Sequence, residues 1–497
     1  MARVAIRGCE EEAQQKGIMS RRERSLTIVL TVVAIATATA TLFAEETNAP
    51  PATTIDQKLE QLDQEIRALK RQRELDQEQA QQQANQTALT AKQAPVVTAG
   101  ADGFAVKSAD SNFVLRIHGY VQTDARFYLD DSANKLTDTF LARRVRPILE
   151  GTLFRDFDFR IMTDFGNGAA SANLLQDAYL EWRYWPWLRV RAGKYKPPVG
   201  LERLQSAAWV TFAERGLPTD LVPNRDVGFQ LSGDLFGGVV NYAVGVFNGV
   251  VDGGIADLDT WDAKDGAARI FIQPFRTTDI GPLQGLGFGV GGTMGDQQAT
   301  STTTNLATYK TTGQNTFFTF RSGVAPDGIE TRVTPQGYYY WGPLGLLSEY
   351  VLADQELRAG TVRDHVRNTA WQIEGTFVLT GENASYNGVS PRRPFDLSKG
   401  GWGAFEIVAR YGDLRIDPSA FSSSPTALRF ANPTTSAQEA REWGVGLNWY
   451  LNRNVKLVLN YEQTEFDGGA GAATATAYTV ENRPIERFLV TRAQFSF

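Results

Sequence analysis

The sequence predicts an all-β protein: a transmembrane antiparallel β-barrel of about 16 strands, preceded by a short N-terminal coiled-coil helix. Three observations lead there. Apolar and polar residues alternate with a period of two in segment after segment from Asn112 to Phe497. Aromatic residues gather at segment ends. Short turns such as Arg155-Asp156, Tyr184-Trp185-Pro186 and Asn452-Arg453-Asn454 alternate with long polar loops at 196–226, 249–265, 296–313 and 415–438. A soluble sandwich also alternates, but its core would exclude the arginines found on the polar face of these strands.

The composition narrows the class further. In 497 residues there is one Cys and there are two His, which excludes a disulfide framework and a multi-histidine metal centre. No cofactor is expected. A formal charge of −6 argues against a nucleic-acid partner. A mean hydropathy of −0.28 is too polar for a bundle of membrane helices.

Taken in order, the chain opens with Arg21, Arg22 and Arg24 before the apolar run 26–38 and an Ala-rich exit. That is the pattern of a secretory signal peptide, with Met19 the more natural start and cleavage after Ala40 or Ala44. The run is short for a membrane anchor, which is the alternative. Removing residues 1–44 takes away Cys9 and leaves 44 basic and 52 acidic residues, a formal charge of −8. Residues 45–54 read as a linker. From 55 to 88, Ile55, Leu59, Leu62, Ile66 and Leu69 are spaced 4, 3, 4, 3, the a/d seam of a short coiled coil. Arg73 and Asp76 end the seam, and a solvated single helix is the other reading. Residues 89–110, with Pro95, Gly100 and Gly103, read as a second linker before the barrel domain at 111–497.

The first barrel strand sets Phe113, Leu115, Ile117, Val121 and Phe127 against Arg116, His118, Gln122, Asp124 and Arg126. The same alternation returns at 157–164, 177–184, 187–192, 371–379, 443–451 and 455–461. The stretch 314–341 divides ambiguously, so 18 strands is the alternative count. Trp182, Tyr184, Trp185 and Trp187, and Tyr338 to Trp341, read as interfacial girdles. The last strand ends on Phe495 and Phe497, the pattern read by the barrel-assembly machinery of an outer membrane. Those two residues are the expected assembly signal, and outer-membrane lipid is the expected surrounding.

The barrel region resembles the phosphate-selective porin O and P family. Residues 140–151 (FLARRVRPILEG) carry the resemblance, with 154–159 (FRDFDF), 176–181 (QDAYLE), 192–204 (AGKYKPPVGLERL), 378–382 (VLTGE) and 446–450 (GLNWY). The resemblance implies a trimeric, 16-stranded, passive outer-membrane channel for phosphate and related anions, lined by an arginine ladder and narrowed by an inward loop. Arg143 and Arg144 match a paired arginine of that ladder. Arg203 and Arg215 match basic positions of the pore loop. The lysine cluster of the tightest phosphate-selective members is absent, with Lys194 and Lys196 the local candidates. Strand parity alone adds Arg116, Arg160, Arg189 and Arg191 to the expected anion pathway. It also places Arg143 and Arg144 on opposite faces unless the strand bulges or ends there. The other readings are a general or oligosaccharide porin, and a structural protein that tethers the envelope through 55–88.

Two further patterns point elsewhere. Gly287-Phe-Gly-Val-Gly-Gly292 looks like a dinucleotide loop, but no βαβ unit surrounds it, so glycine relief within a strand is expected. Asp252, Asp257, Asp259, Asp262 and Asp265 fall in one loop; this is read as solvated, with bridging of lipid phosphates by a divalent cation as the alternative. His118 and His365 have no nucleophile motif beside them, so no catalytic residue is assigned and the protein is expected not to be an enzyme.

Overall fold

The computed structural model describes residues 55–129, 136–166, 174–258, 261–299 and 306–497. The expected signal segment, Met19 and Cys9 lie outside the described residues. Residues 55–93 form a helix, α1 (Ile55–Gln93). Its seam residues Ile55, Leu59, Leu62, Ile66 and Leu69 are all exposed. No helix among the described residues is long and apolar enough to cross a membrane.

The remainder is built from strands: β1 (Val96–Gly100), β2 (Gly103–Lys107), β3 (Val114–Leu129), β4 (Thr139–Leu153), β5 (Phe157–Thr163), β6 (Leu175–Trp185), β7 (Leu188–Tyr195), β8 (Asp226–Leu235), β9 (Val240–Phe247), β10 (Asp265–Ile272), β11 (Leu286–Gln298), β12 (Thr308–Lys310), β13 (Thr316–Thr319), β14 (Val324–Trp341), β15 (Leu344–Ala359), β16 (Val362–Val378), β17 (Ala404–Arg415), β18 (Ala437–Tyr450), β19 (Val455–Ala473), β20 (Tyr478–Asn482) and β21 (Glu486–Ser496). Sixteen of them, β3–β11, β14–β19 and β21, pair antiparallel with their neighbours, and β21 pairs back onto β3. The sheet is therefore closed and has no free barrel edge. The ambiguous stretch resolves simply: β13 pairs with β12 in a separate hairpin, and β14 alone belongs to the wall. Residues 89–110, expected as a linker, carry the β1–β2 hairpin, whose second strand extends the sheet beside β3.

Each wall strand sorts its side chains by parity. In β16, Val366, Asn368, Ala370, Gln372, Glu374 and Thr376 are buried toward the lumen, while Trp371, Ile373 and Phe377 are exposed on the outer face. A filled lumen buries polar residues and a lipid-facing wall exposes apolar ones, the reverse of a water-soluble barrel. The girdle expectation holds only in part. Trp185 and Trp187 stack at 5.4 Å at the β6–β7 turn. In β14 the outward residues are Tyr339 and Trp341; Tyr338 and Tyr340 turn inward, where Tyr338 stacks on Tyr386.

Turn lengths are asymmetric with three exceptions. At the end holding the chain's C-terminus, turns are short except 273–285 and 379–403. At the other end, loops are long except 360–361. Among the described residues, several segments fill the lumen. Loop 196–225 crosses it, the β12–β13 hairpin buries Tyr309, Phe317 and Phe318, and 384–389 enters from the C-terminal end. The Gly287–Gly292 run lies on β11, and Gly291 leaves room for the Pro198 carbonyl of the crossing loop.

Phe497 closes the seam, exchanging two backbone hydrogen bonds of 3.0 Å with Gly119, and its ring stacks on Phe495. Deleting Phe497 removes both bonds at the closing strand pair. The folded, heat-modifiable band in detergent gels should fall several-fold relative to the intact chain; an undiminished band would remove Phe497 from the closure.

Candidate pore constriction

Loop 196–225 leaves β7, makes one turn of helix, α2 (Leu201–Leu204), crosses the lumen and returns to β8. A buried loop must find partners for its backbone, and here the barrel wall supplies them. Lys456 donates to the Val210 carbonyl (3.0 Å) and Asn448 to that of Thr211 (2.9 Å). The Ala213 N–H donates to Asn460 (2.7 Å), Arg492 donates to the Ala213 carbonyl, and Arg410 to that of Glu214 (3.0 Å). The fit is close: Gly444 admits the Phe212 ring, and any Cβ at Gly216 would overlap Gln372.

The two walls on either side of the loop carry opposite charge. On the β15–β19 side, Arg410 lies 4.2 Å from the Phe212 ring centre and pairs with Glu442 (3.0 Å) and Glu462 (2.8 Å). Glu349 accepts from the Leu201 N–H (2.6 Å) and Glu202 from the Gly216 N–H (2.9 Å), with Gln372 bridging both carboxylates. On the β3–β4–β21 side the groups are mostly arginines. The β3–β4 register slips between Gln122 and Thr123, leaving Arg143 as the extra residue of a bulge. The bulge brings Arg143 and Arg144 to the same side.

Both arginines meet Glu214. Its carboxylate accepts from Arg143 (2.6 and 3.1 Å), Arg144 (3.0 Å), Arg126 (2.9 Å) and Arg492 (2.8 Å). Asp124 pairs with Arg126 and Arg492 behind it. Burial raises the Glu214 carboxyl, but the arginines, Arg143 foremost, outweigh burial and hold it well below the usual carboxylate range.

A cavity of about 420 Å³ opens beside this cluster. Among the described residues, Arg143, Arg144, Arg146, Arg203, Arg215, Arg225 and Lys310 line it against Asp164, Glu214, Asp220 and Asp252, an excess of three positive charges. Arg146 pairs with Asp164 (2.7 Å) and Arg225 with Asp177 (2.9 Å). Arg203 and Arg215 differ: their partners are backbone carbonyls, of Thr219 for Arg203 and of Glu202 and Gln205 for Arg215. Their charges are therefore not cancelled by a carboxylate in contact. Burial pushes the Asp220 carboxyl up to about 7, although it accepts from the Lys310 N–H (2.7 Å).

Two more cavities continue toward the C-terminal end. One of about 220 Å³ is lined by Arg146, Arg160, Arg191, Lys196 and Arg225 with Asp177. The other, of about 400 Å³, holds Arg116, His118, Glu150, Arg160 and Arg453. Arg146 and Arg225 border the first two cavities, and Arg160 the last two.

Of the residues expected along an anion path, Arg143, Arg144, Arg203, Arg215, Lys196, Arg116, Arg160 and Arg191 line this string of cavities. Arg191 pairs with Glu181 and stacks over Tyr179 at 4.3 Å. Lys194 and Arg189 stand apart. Lys194 is buried in an ion pair with Asp257, and Arg189 pairs with Asp234 (2.6 Å) lower on the wall. The acidic loop is not simply solvated. Asp257 takes Lys194, and Asp252 takes Arg332 of β14 (2.6 Å); Asp259 lies outside the described residues. Sequence reasoning missed Arg146, Arg225, Lys310 and Glu214. The first shares the parity of Arg144, but nothing local marked Glu214.

Residues 115–497 match the family described as phosphate-selective porin O and P. Porin O of Pseudomonas aeruginosa is 23% identical over 409 residues, covering 75% of this chain and 89% of that protein. Among solved structures, the outer membrane channel DcaP of Acinetobacter baumannii is 12% identical, with 79% of this chain and 99% of that one covered at a TM-score of 0.48. Outer-membrane expressed OmpT of Vibrio cholerae is 11% identical, with 78% and 98% covered at 0.45. The barrel itself rests on the closed strand pairing. The chain belongs to the phosphate-selective porin O and P family: it is a channel protein of the Gram-negative outer membrane, not an enzyme.

Proposed function

We propose that this barrel is a passive channel for small oxyanions, phosphate or polyphosphate among them, with its selectivity set along the β3–β8 side of the crossing loop. The observation that carries the reading is the string of three cavities joined by shared arginines. Conduction needs neighbouring sites that each hold an ion weakly, and consecutive guanidinium groups in a narrow low-dielectric passage supply them. Net charge cannot supply the preference, because the chain is acidic overall. The preference comes from where the basic groups stand.

The assembly is a homotrimer, and the exposed seam of α1 packs as a short coil between subunits. The family resemblance and the spacing of Ile55, Leu59, Leu62, Ile66 and Leu69 support this. Residues 1–44 direct export.

Arg203 and Arg215 are the selective charges most open to test, since no carboxylate touches them. A unit charge about 4–8 Å from a passing ion is worth about 2–4 kcal/mol at an effective dielectric near 20. The double variant R203A/R215A should move the planar-bilayer reversal potential in a KCl gradient toward cations. It should also weaken block of chloride current by phosphate by roughly tenfold or more. Wild-type selectivity in that variant would locate the filter elsewhere.

Asp220 adds a pH dependence. Its carboxyl takes up a proton as pH falls through about 7, removing a negative charge from the cavity. Anion preference should therefore be greater at pH 6 than at pH 8. Asp220→Asn should hold the low-pH value at both. An unchanged pH profile in Asp220→Asn would remove Asp220 from the pathway.

A further inference from the structure

The contacts of segment 210–214 fall into two sets that share only Arg492. Its backbone is held by Lys456, Asn448, Asn460, Arg410 and Arg492, none of which needs the Glu214 carboxylate to do so. The carboxylate makes a different set of bonds, to four guanidinium groups from β3, β4 and β21. Oε1 accepts from Arg126, Arg143 and Arg492, and Oε2 from Arg143 and Arg144. A carboxylate offers about four lone-pair sites, so these five charge-assisted bonds saturate it.

A tether would not require this many arginines, nor the register slip that turns Arg143 inward. Four guanidinium groups converging on two oxygens are the donor set that an oxyanion of phosphate type demands. Two of the four are reachable from the cavity, with Arg126 and Arg492 buried behind them. Arg143 and Arg144 border the large cavity together with Arg203 and Arg215, and Arg143 is the least covered of the four, its side chain 19% exposed.

We propose that the Arg126–Arg143–Arg144–Arg492 cradle is an oxyanion-binding site in which Glu214 is the resident ligand, so that Glu214 sets how tightly the constriction holds a permeating oxyanion. The four arginines face two carboxylates, Asp124 and Glu214. With Glu214 in place the cradle keeps only part of its charge, and a passing anion shares it briefly and leaves. With Glu214 neutralised and the backbone still anchored, the donors of Arg143 and Arg144 face the cavity unfilled, with Arg126 and Arg492 behind them, and an incoming oxyanion binds there instead. This rests on the anion-channel reading above and adds to it the residue that tunes the affinity.

The test compares wild type with Glu214→Gln and Glu214→Asp, purified as the full chain and inserted in planar bilayers, with inorganic phosphate as the probe. Glu214→Gln should need on the order of tenfold less phosphate to half-block the chloride current. Glu214→Asp, whose carboxylate is one methylene shorter, should fall between. The temperature at which the folded band is lost on detergent gels should rise with added phosphate in Glu214→Gln far more than in wild type, because the ligand replaces the missing partner. Weaker or equal block in Glu214→Gln, with no stabilisation by phosphate, overturns the proposal and makes Glu214 a tether. Failure of both variants to insert does the same. A wild type with neither anion preference nor phosphate block instead overturns the channel reading on which the proposal rests.

Discussion

A polypeptide cannot cross the inside of a barrel unless its backbone polar groups find partners there, and meeting that requirement shapes the rest of this structure. Loop 196–225 meets it with short helical turns, with its own side chains and, at 210–214, with side chains from the wall. Lys456, Asn448, Asn460, Arg410 and Arg492 reach its carbonyls and an N–H from β17, β18, β19 and β21. Leaving one such group unpaired in a buried site costs about 1–3 kcal/mol, so the anchors together decide where the loop lies. The other lumen segments then pack against it. Tyr386, from the turn at 379–403, donates to the Leu201 carbonyl (2.5 Å), and Gln205 donates to the Tyr386 carbonyl (2.7 Å).

The loop also separates charge. Carboxylates of Glu349, Glu442 and Glu462 lie on one side of it and Arg126, Arg143, Arg144 and Arg492 on the other. Such groups are expensive to bury singly and tolerable only when paired, which explains why each cluster carries counter-charges, Arg410 in the acidic one and Asp124 with Glu214 in the basic one. The cavities open on the basic side. An acidic protein can thus present a locally positive passage, because a field in a narrow low-dielectric space is set by the nearest charges.

Much of this was legible in the sequence. Strict parity in segments such as 112–128 and 443–451 located the wall strands, because a lumen-facing and a lipid-facing residue must differ in polarity. The Arg143-Arg144 pair signalled either a bulge or a strand end, since alternation cannot otherwise place both inside, and the structure has the bulge. Other features had no local signature. Tyr338 and Tyr340 looked like girdle residues, and only the inward segment 384–389 explains why they face the lumen. Glu214 is an ordinary loop glutamate until β3, β4 and β21 are brought around it from positions up to 278 residues away. Lys194 and Arg189 had the right charge but line none of the three cavities, which parity does not reveal.

Loop 196–225 is fixed inside the barrel by its backbone anchors, and hydrogen–deuterium exchange of the intact protein in detergent reads that directly. The Ala213 amide, which donates to Asn460 inside the lumen, and its neighbours should exchange as slowly as the wall strands β17 and β18, and far more slowly than the exposed helix α1. Exchange of 210–214 on the fast timescale of α1 would show instead that the segment is open to water rather than held across the lumen.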